Sequence, residues 1–280
     1  WRSGAFGCVR NNDNRFHEGI DILSKVQGSD EEPLDKVLAS RNGQVVYINR
    51  NTATSSYGKY IVLIHQVQNL AIYTLYAHLK SVKESLMAGD SVQAGAFLGV
   101  LGRTANTNEK IAKWRAHLHF EIGLQIHEKF NRWFPSWYRG GENHHGNWNG
   151  LNLLGLDAAQ ILIRSNNGSF KFLDYLKSQP ILCKIRVHQK KVNIIDRCPL
   201  LIGGTIPANG EVTAWDLDLN PNGIPVQITP YREKTNTSGA KYHIINVNKP
   251  VLANNPCSGL VFQKGQKWIF TGKGQRLMDL

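Results

Sequence analysis

Between Val37 and Ile122 the chain runs in short stretches of β-branched and aromatic residues, parted by glycine-, asparagine- and serine-rich breaks. Gln44–Ile48, Lys59–Ile64 and Leu70–Tyr76 each read as a strand, with Ser56-Tyr57-Gly58 as the turn between the first two. Glycines punctuate Ala88–Gly95, and Phe97–Gly102 follows as a buried strand. Regularly spaced short strands predict a mainly β fold, an antiparallel barrel or sandwich with a few short helices. In Arg115–Ile122, read as a further strand, successive side chains point to opposite faces. His117 and His119 then project together, and Leu118 and Phe120 turn into a core. Phe16–Ile22 is predicted as strand and turn, because Gly19 and its β-branched neighbours oppose a helix. The polar stretch Asn106–Ala116 has room for a short helix.

Further along, Phe130, Trp133, Phe134, Trp137, Tyr138 and Trp148 make an aromatic-rich region that either covers one face of the β fold or walls a groove. Leu153–Ile163 and Phe170–Leu176 carry helical periodicity, with Asp157 and Ser169 as helix starts and Gly168-Ser169 as a break. Pro180 marks a boundary between residues 1–180 and residues 181–280. Beyond it, Lys184–Val187, Lys191–Ile195, Pro225–Ile228 and Lys267–Phe270 alternate with Asn/Gly/Pro turns, which predicts a smaller all-β C-terminal module.

A hydrophobic fraction of 41% over 280 residues supports a real core and excludes wholesale disorder. No apolar run is long enough for a membrane-spanning helix, and Trp1–Phe6 has no signal-peptide apolar region. The net charge is +12, and residues 181–280 hold 13 Lys/Arg against 6 Asp/Glu. That basic balance either favours an anionic partner for the second part or simply keeps the chain in solution. No nucleic-acid motif accompanies it, and basic and aromatic residues are not interleaved as in a single-strand-binding platform. Cys8, Cys183, Cys198 and Cys257 stand in no Cys-x-x-Cys spacing, so neither a zinc ribbon nor a redox motif is supported; the four are either free buried thiols or disulfides with three possible connectivities.

Candidate chemistry begins with the histidines. His17 and Asp21 are of zinc-ligand type, as are His117 and His119, and each pair alone is a weak signal. His127, His144 and His145 are further candidates in no ligand spacing. In chain order four blocks stand together: Phe16-His17-Glu18-Gly19-Ile20-Asp21-Ile22; Leu75-Tyr76-Ala77-His78-Leu79; Gly89-Asp90-Ser91-Val92 with Gly95 and Leu98-Gly99-Val100-Leu101-Gly102; and His117-Leu118-His119-Phe120-Glu121. From Gly4 to Ile122 the sequence thereby resembles the lysostaphin-type (LytM-like) zinc metalloendopeptidases that cut peptidoglycan peptides. The link Arg103–Ala116 departs from the family's short Ser/Thr-Gly-rich link, and Ala116 stands where its proline would be.

The resemblance implies Zn2+ held by His17, Asp21 and His119, with one position left for water. It implies that His78 and His117 flank the attacking water. One takes its proton and the other stabilises the oxyanion or assists the leaving amine, and His117 is the expected base. The implied partner is peptidoglycan, and the implied activity is endopeptidase cleavage of stem peptides or cross-bridges. A catalytically silent scaffold that regulates another wall hydrolase, or an anionic-polymer-binding protein, is the alternative. An extracytoplasmic home, periplasmic or secreted, is then expected, with the signal sequence absent from this chain. Asn11–Asn14 is a candidate for covering the metal's open position, and residues 181–280 for wall binding.

Overall fold

A computed structural model of the chain describes residues 1–107, 110–204, 211–232 and 240–279. In the first part the strands are β1 (Gly7–Arg10), β2 (Arg15–His17), β3 (Ile20–Leu23), β4 (Lys36–Leu38), β5 (Gly43–Asn49), β6 (Tyr60–Val67), β7 (Leu70–Ala77), β8 (Ser81–Val82), β9 (Ser91–Val92), β10 (Phe97–Val100), β11 (His117–Gln125) and β12 (Leu153–Leu156). Helices α1 (Phe130–Trp137), α2 (Ala158–Ser165) and α3 (Phe172–Lys177) interrupt and follow them. Beyond residue 180 come β13 (Cys183–Val187), α4 (Asn193–Arg197), β14 (Ala214–Leu219), β15 (Pro225–Tyr231), β16 (Tyr242–Val247), α5 (Lys249–Asn254), β17 (Val261–Lys264), β18 (Lys267–Phe270) and α6 (Gly272–Asp279).

The largest sheet has the order β12-β11-β7-β6-β5-β9, with β3 also paired to β11, and every pairing is antiparallel. Among the described residues no sheet closes into a barrel; the main sheet is open and is accompanied by a three-stranded sheet, β4-β10-β8. Alternation along β6, β7 and β11 sorts their side chains between two faces. Ile61, Leu63, Ile72, Tyr76, Phe120, Ile122 and Leu124 enter the main core. Tyr60, Val62, Tyr73, Leu75 and Ala77 turn the other way into a smaller cluster against Tyr57 and Trp148. This second, aromatic face carries the histidines.

Two sequence expectations are corrected. Leu153–Leu156, read as the start of a helix, is instead an edge strand. Its backbone extends the sheet beyond β11, with Gly123 opposite Gly155, and the helix begins only after Asp157, whose side chain caps it by accepting from the N–H of Gln160. Lys191–Ile195, read as a strand, leads into α4. Residues 181–280 are accordingly not all-β: the sheet β15-β14-β13-β16 and the hairpin β17-β18 are joined by three short helices. Apolar side chains from Val37 to Val261 form one continuous cluster, so the core runs through both parts of the chain. A disulfide joins Cys8 to Cys257, while Cys183 and Cys198 are buried free thiols. Of Asn106–Ala116, residues 108–109 lie outside the described set; the remainder holds a single 3-10 turn, Lys113–Arg115.

Gly19 lets the turn between β2 and β3 lie directly on β11. A Cβ there would stand 2.4 Å from the carbonyl oxygen of Phe120 and 2.8 Å from Cγ of Glu121. Backbone cannot retreat as a flexible side chain would, so Gly19→Ala is expected to destabilise the fold by about 2 kcal/mol, in the range of overpacking. Chemical denaturation measures it; an unchanged midpoint would show that the β2–β3 turn is not pinned against β11.

Candidate metal centre

Strand register brings the distant residues together. His119 pairs with Asp21 of β3 on one side and with Ala77 of β7 on the other, so His78 follows immediately beyond the strand end. His17 ends β2, whose antiparallel partner β1 pairs Gly7 with it. The three ligand-type atoms converge: His17 Nε2 lies 2.9 Å from His119 Nδ1, and Asp21 Oδ1 lies 3.2 Å from each. Atoms bound to one tetrahedral zinc at about 2.0–2.1 Å stand about 3.3 Å apart, so this donor set fits that ion. Among the described residues His17, Asp21 and His119 are the cluster with that property.

Each donor atom is selected by the hydrogen bond its partner atom makes. His17 donates from Nδ1 to the carbonyl of Ala5 at 2.7 Å, which leaves Nε2 for the cluster. His119 donates from Nε2 to Glu121 Oε1 at 2.8 Å, which leaves Nδ1. Glu121 is fully buried and also accepts from the hydroxyls of Tyr57 at 2.7 Å and Tyr73 at 2.6 Å. Burial opposes its ionisation, but those donors and the charge of His119 outweigh burial and keep its carboxyl below the usual range. Asp21 follows the same logic: burial is outweighed by the adjoining His119 and His17 rings, and its carboxyl is held well below the usual range.

His78 and His117 flank the cluster, with ring centroids 4.9 Å apart. His117 donates from Nδ1 to the carbonyl of Arg115 at 2.6 Å, and its Nε2 stands 3.5 Å from Asp21 Oδ1. His78 donates from Nδ1 to the carbonyl of Thr104 at 2.8 Å, and its backbone is left-handed, φ +61°. Its own N–H donates to the carbonyl of Tyr57 at 2.9 Å, which holds that conformation in place. Burial first, and then the neighbouring histidine charges, push the His78 imidazole down to about 3; burial chiefly lowers that of His117.

Asn11–Asn14 forms the β1–β2 turn, and the residue that reaches the cluster is its neighbour Arg10, the last of β1. Its guanidinium donates to His17 Nε2 at 2.8 Å and to Asp21 Oδ2 at 2.5 Å. The other candidate histidines stay out of the cluster, although His145 lines the same groove as His17, His78 and His119. His145 bonds Tyr47 and the carbonyl of Thr54, His127 accepts from the N–H of Lys129, and His144 pairs with Glu142. The sequence reading passed over Glu121, although the same alternation that paired His117 with His119 puts residue 121 on their face. Tyr57, Tyr73, Thr104 and Arg10 carry no such local signal.

With this geometry in view, similarity to known proteins falls into place. Residues 15–131 match the model of peptidase family M23. Three solved structures are similar over part of the chain. A zinc-containing peptidase from Vibrio cholerae is 23% identical, with 38% of this chain and 26% of that one covered and a TM-score of 0.28. The catalytic domain of lysostaphin from Staphylococcus simulans is 24% identical, over 43% of this chain and 74% of that one, with a TM-score of 0.30. A mutant of the catalytic domain of the prophage-encoded M23 protein EnpA from Enterococcus faecalis is 18% identical, over 42% and 76%, with a TM-score of 0.31. This chain thus spans about a quarter of the Vibrio cholerae peptidase, 26%. No curated protein matches it.

The His119 imidazole gives the centre a measurable pH signature. Burial works against its charge, yet Asp21 and Glu121 raise it from 6.5 to about 9 in the metal-free protein. A raised histidine stabilises the fold fully below its unfolded value of 6.5, and that contribution is lost as pH rises through about 9. A metal needs the Nδ1 lone pair, so zinc uptake near neutral pH releases about one proton from this site, and affinity climbs with pH until about 9. Calorimetry in two buffers of different ionisation enthalpy reads the proton directly; zinc uptake with no proton release contradicts the assignment.

Proposed function

We propose that the chain is a zinc-dependent endopeptidase that hydrolyses peptide bonds in peptidoglycan stem peptides or cross-bridges. The observation that carries this reading is the convergence of three ligand-type atoms and two further imidazoles at one end of β11, inside the segment that matches family M23. His17 Nε2, Asp21 Oδ1 and His119 Nδ1 would hold the ion, which when bound supplies Lewis acidity at the scissile carbonyl. Everything else falls to the chain's own groups. His117, with its Nδ1 proton committed to Arg115 and a neutral ring, presents Nε2 to take the proton of the attacking water. His78 is likewise neutral with Nε2 unengaged by Thr104, and it relays a proton to the leaving amine or steadies the developing negative charge.

The disulfide between Cys8 and Cys257 supports an extracytoplasmic setting, since such bonds persist in oxidising compartments. One observation favours a second reading, a catalytically silent scaffold acting on another wall hydrolase. Arg10 places a positive charge against two of the three ligand residues, and a cation there opposes a second one.

Metal content and peptide release from purified walls, read by mass analysis, decide between the two. In the peptidase reading the zinc-equilibrated protein releases peptides. His119→Ala and Asp21→Ala lose both metal and release. His117→Ala keeps the metal and loses about a hundredfold or more of the rate. Full activity in the His119 or Asp21 variant contradicts the peptidase reading. A zinc-loaded protein that releases nothing from walls of any cross-link chemistry supports the scaffold, and activity that appears only in Arg10→Gln makes the guanidinium the cause of silence.

A further inference from the structure

A second depression adjoins the metal groove. The two share Arg15, Phe16, Glu18, Gly150 and Leu151 as lining, so a chain lying across His119 reaches the second depression within a few residues. The far wall of this depression comes from the C-terminal part, where α6 presents Lys273 and Arg276, and its sides carry Trp133 and Tyr138 of the aromatic-rich region. Arg276 lies over the Tyr138 ring, 5.6 Å from its centroid, and Lys273 over the Phe16 ring at 5.5 Å. Lys273 Nζ donates to the carbonyl of Ser258 at 3.0 Å. Among the described residues neither cation has a carboxylate within ion-pair distance. With Arg15 also on the rim and Glu18 as the single carboxylate in the lining, the depression holds an excess of positive charge.

Two links fix this wall in place. The Cys8–Cys257 disulfide ties the C-terminal part to β1, and Asn222 Nδ2 donates to the carbonyl of Gly155 at 2.9 Å. A guanidinium that lies beside a ring presents its N–H edge to a planar, two-oxygen acceptor, and carboxylate matches that fork.

We propose that this depression is a substrate subsite that takes a free carboxylate on the peptide being cut, with Arg276 and Lys273 as its binding residues and Trp133 and Tyr138 as its apolar walls. In this inference, which rests on the peptidase reading, residues 181–280 complete the substrate groove and select peptides whose acidic group is unblocked. A surface phosphate polymer is a poorer occupant, because the depression lies beside the cleavage site and is walled by rings.

Binding to the zinc-free full chain tests the subsite apart from catalysis. The probe is a pair of stem peptides that differ only in whether the glutamate carboxylate is free or amidated, with calorimetry as the readout. The free acid is expected to bind about tenfold more tightly, as one charge-assisted pair would give. Arg276→Gln brings the two peptides to within about twofold of each other. Arg276→Lys restores part of the difference, and Lys264→Gln, which removes an exposed charge outside the depression, preserves it. A thermal melt confirms that each variant is folded. Equal binding of both peptides by the unaltered chain, or undiminished discrimination in Arg276→Gln, overturns the proposal. Cleavage of both peptides at equal rates by the zinc-loaded protein, joined to equal binding, removes the subsite and leaves the peptidase standing. Discrimination in binding without any cleavage removes the peptidase and leaves the subsite.

Discussion

The hydrogen bond from His119 to Glu121 is the interaction on which the centre depends. A fully buried carboxylate is tolerable only when its lone pairs are met by donors. Glu121 meets that condition through His119, Tyr57 and Tyr73. The arrangement fixes the His119 ring and its tautomer, and with them which nitrogen faces Asp21 and His17. Removing one partner from such a buried pair typically costs about 3–5 kcal/mol. The site is therefore built into the stability of the sheet and is not a decoration on its surface. The convergence of these side chains and the strand order have one cause.

That cause is the position of β11 between β3 and β7. Asp21 and Ala77 flank His119 from opposite sides, so a carboxylate of ligand type and the strand end that carries His78 are delivered by register alone. Gly19 allows the turn that precedes Asp21 to press against the same strand. Slipping β11 by one residue would turn His117, His119 and Glu121 into the apolar core and bring Phe120 out among the tyrosines. The apolar pattern of the opposite face, Phe120, Ile122 and Leu124, guards against that slip.

The β strands were legible because a pleat repeats every two residues and the segments are rich in β-branched and aromatic side chains. Where apolar runs were short, pairing decided the outcome: Leu153–Leu156 became a strand because β11 offered it an edge, and Lys191–Ile195 entered a helix despite its β-like composition. That the five imidazole and carboxylate side chains come together was legible only from their order as a set, since no single spacing among them separates a clustered histidine from a surface one. Arg10, Tyr57, Tyr73 and Thr104 were not legible. Each meets the site through a tertiary contact that local periodicity does not encode. The pairing of Cys8 with Cys257, 249 residues apart, belongs to the same class. So does the positive φ of His78, which goes with a hydrogen bond from its N–H to the carbonyl of Tyr57.

The most direct test of this account is the crystal structure of the zinc-equilibrated protein, with the ion located by anomalous scattering at the zinc edge. The account predicts one zinc bound by His17 Nε2, Asp21 Oδ1 and His119 Nδ1, with His119 Nε2 still hydrogen-bonded to Glu121. Zinc bound through His119 Nε2, or by His78 and His117 in place of Asp21, would contradict it.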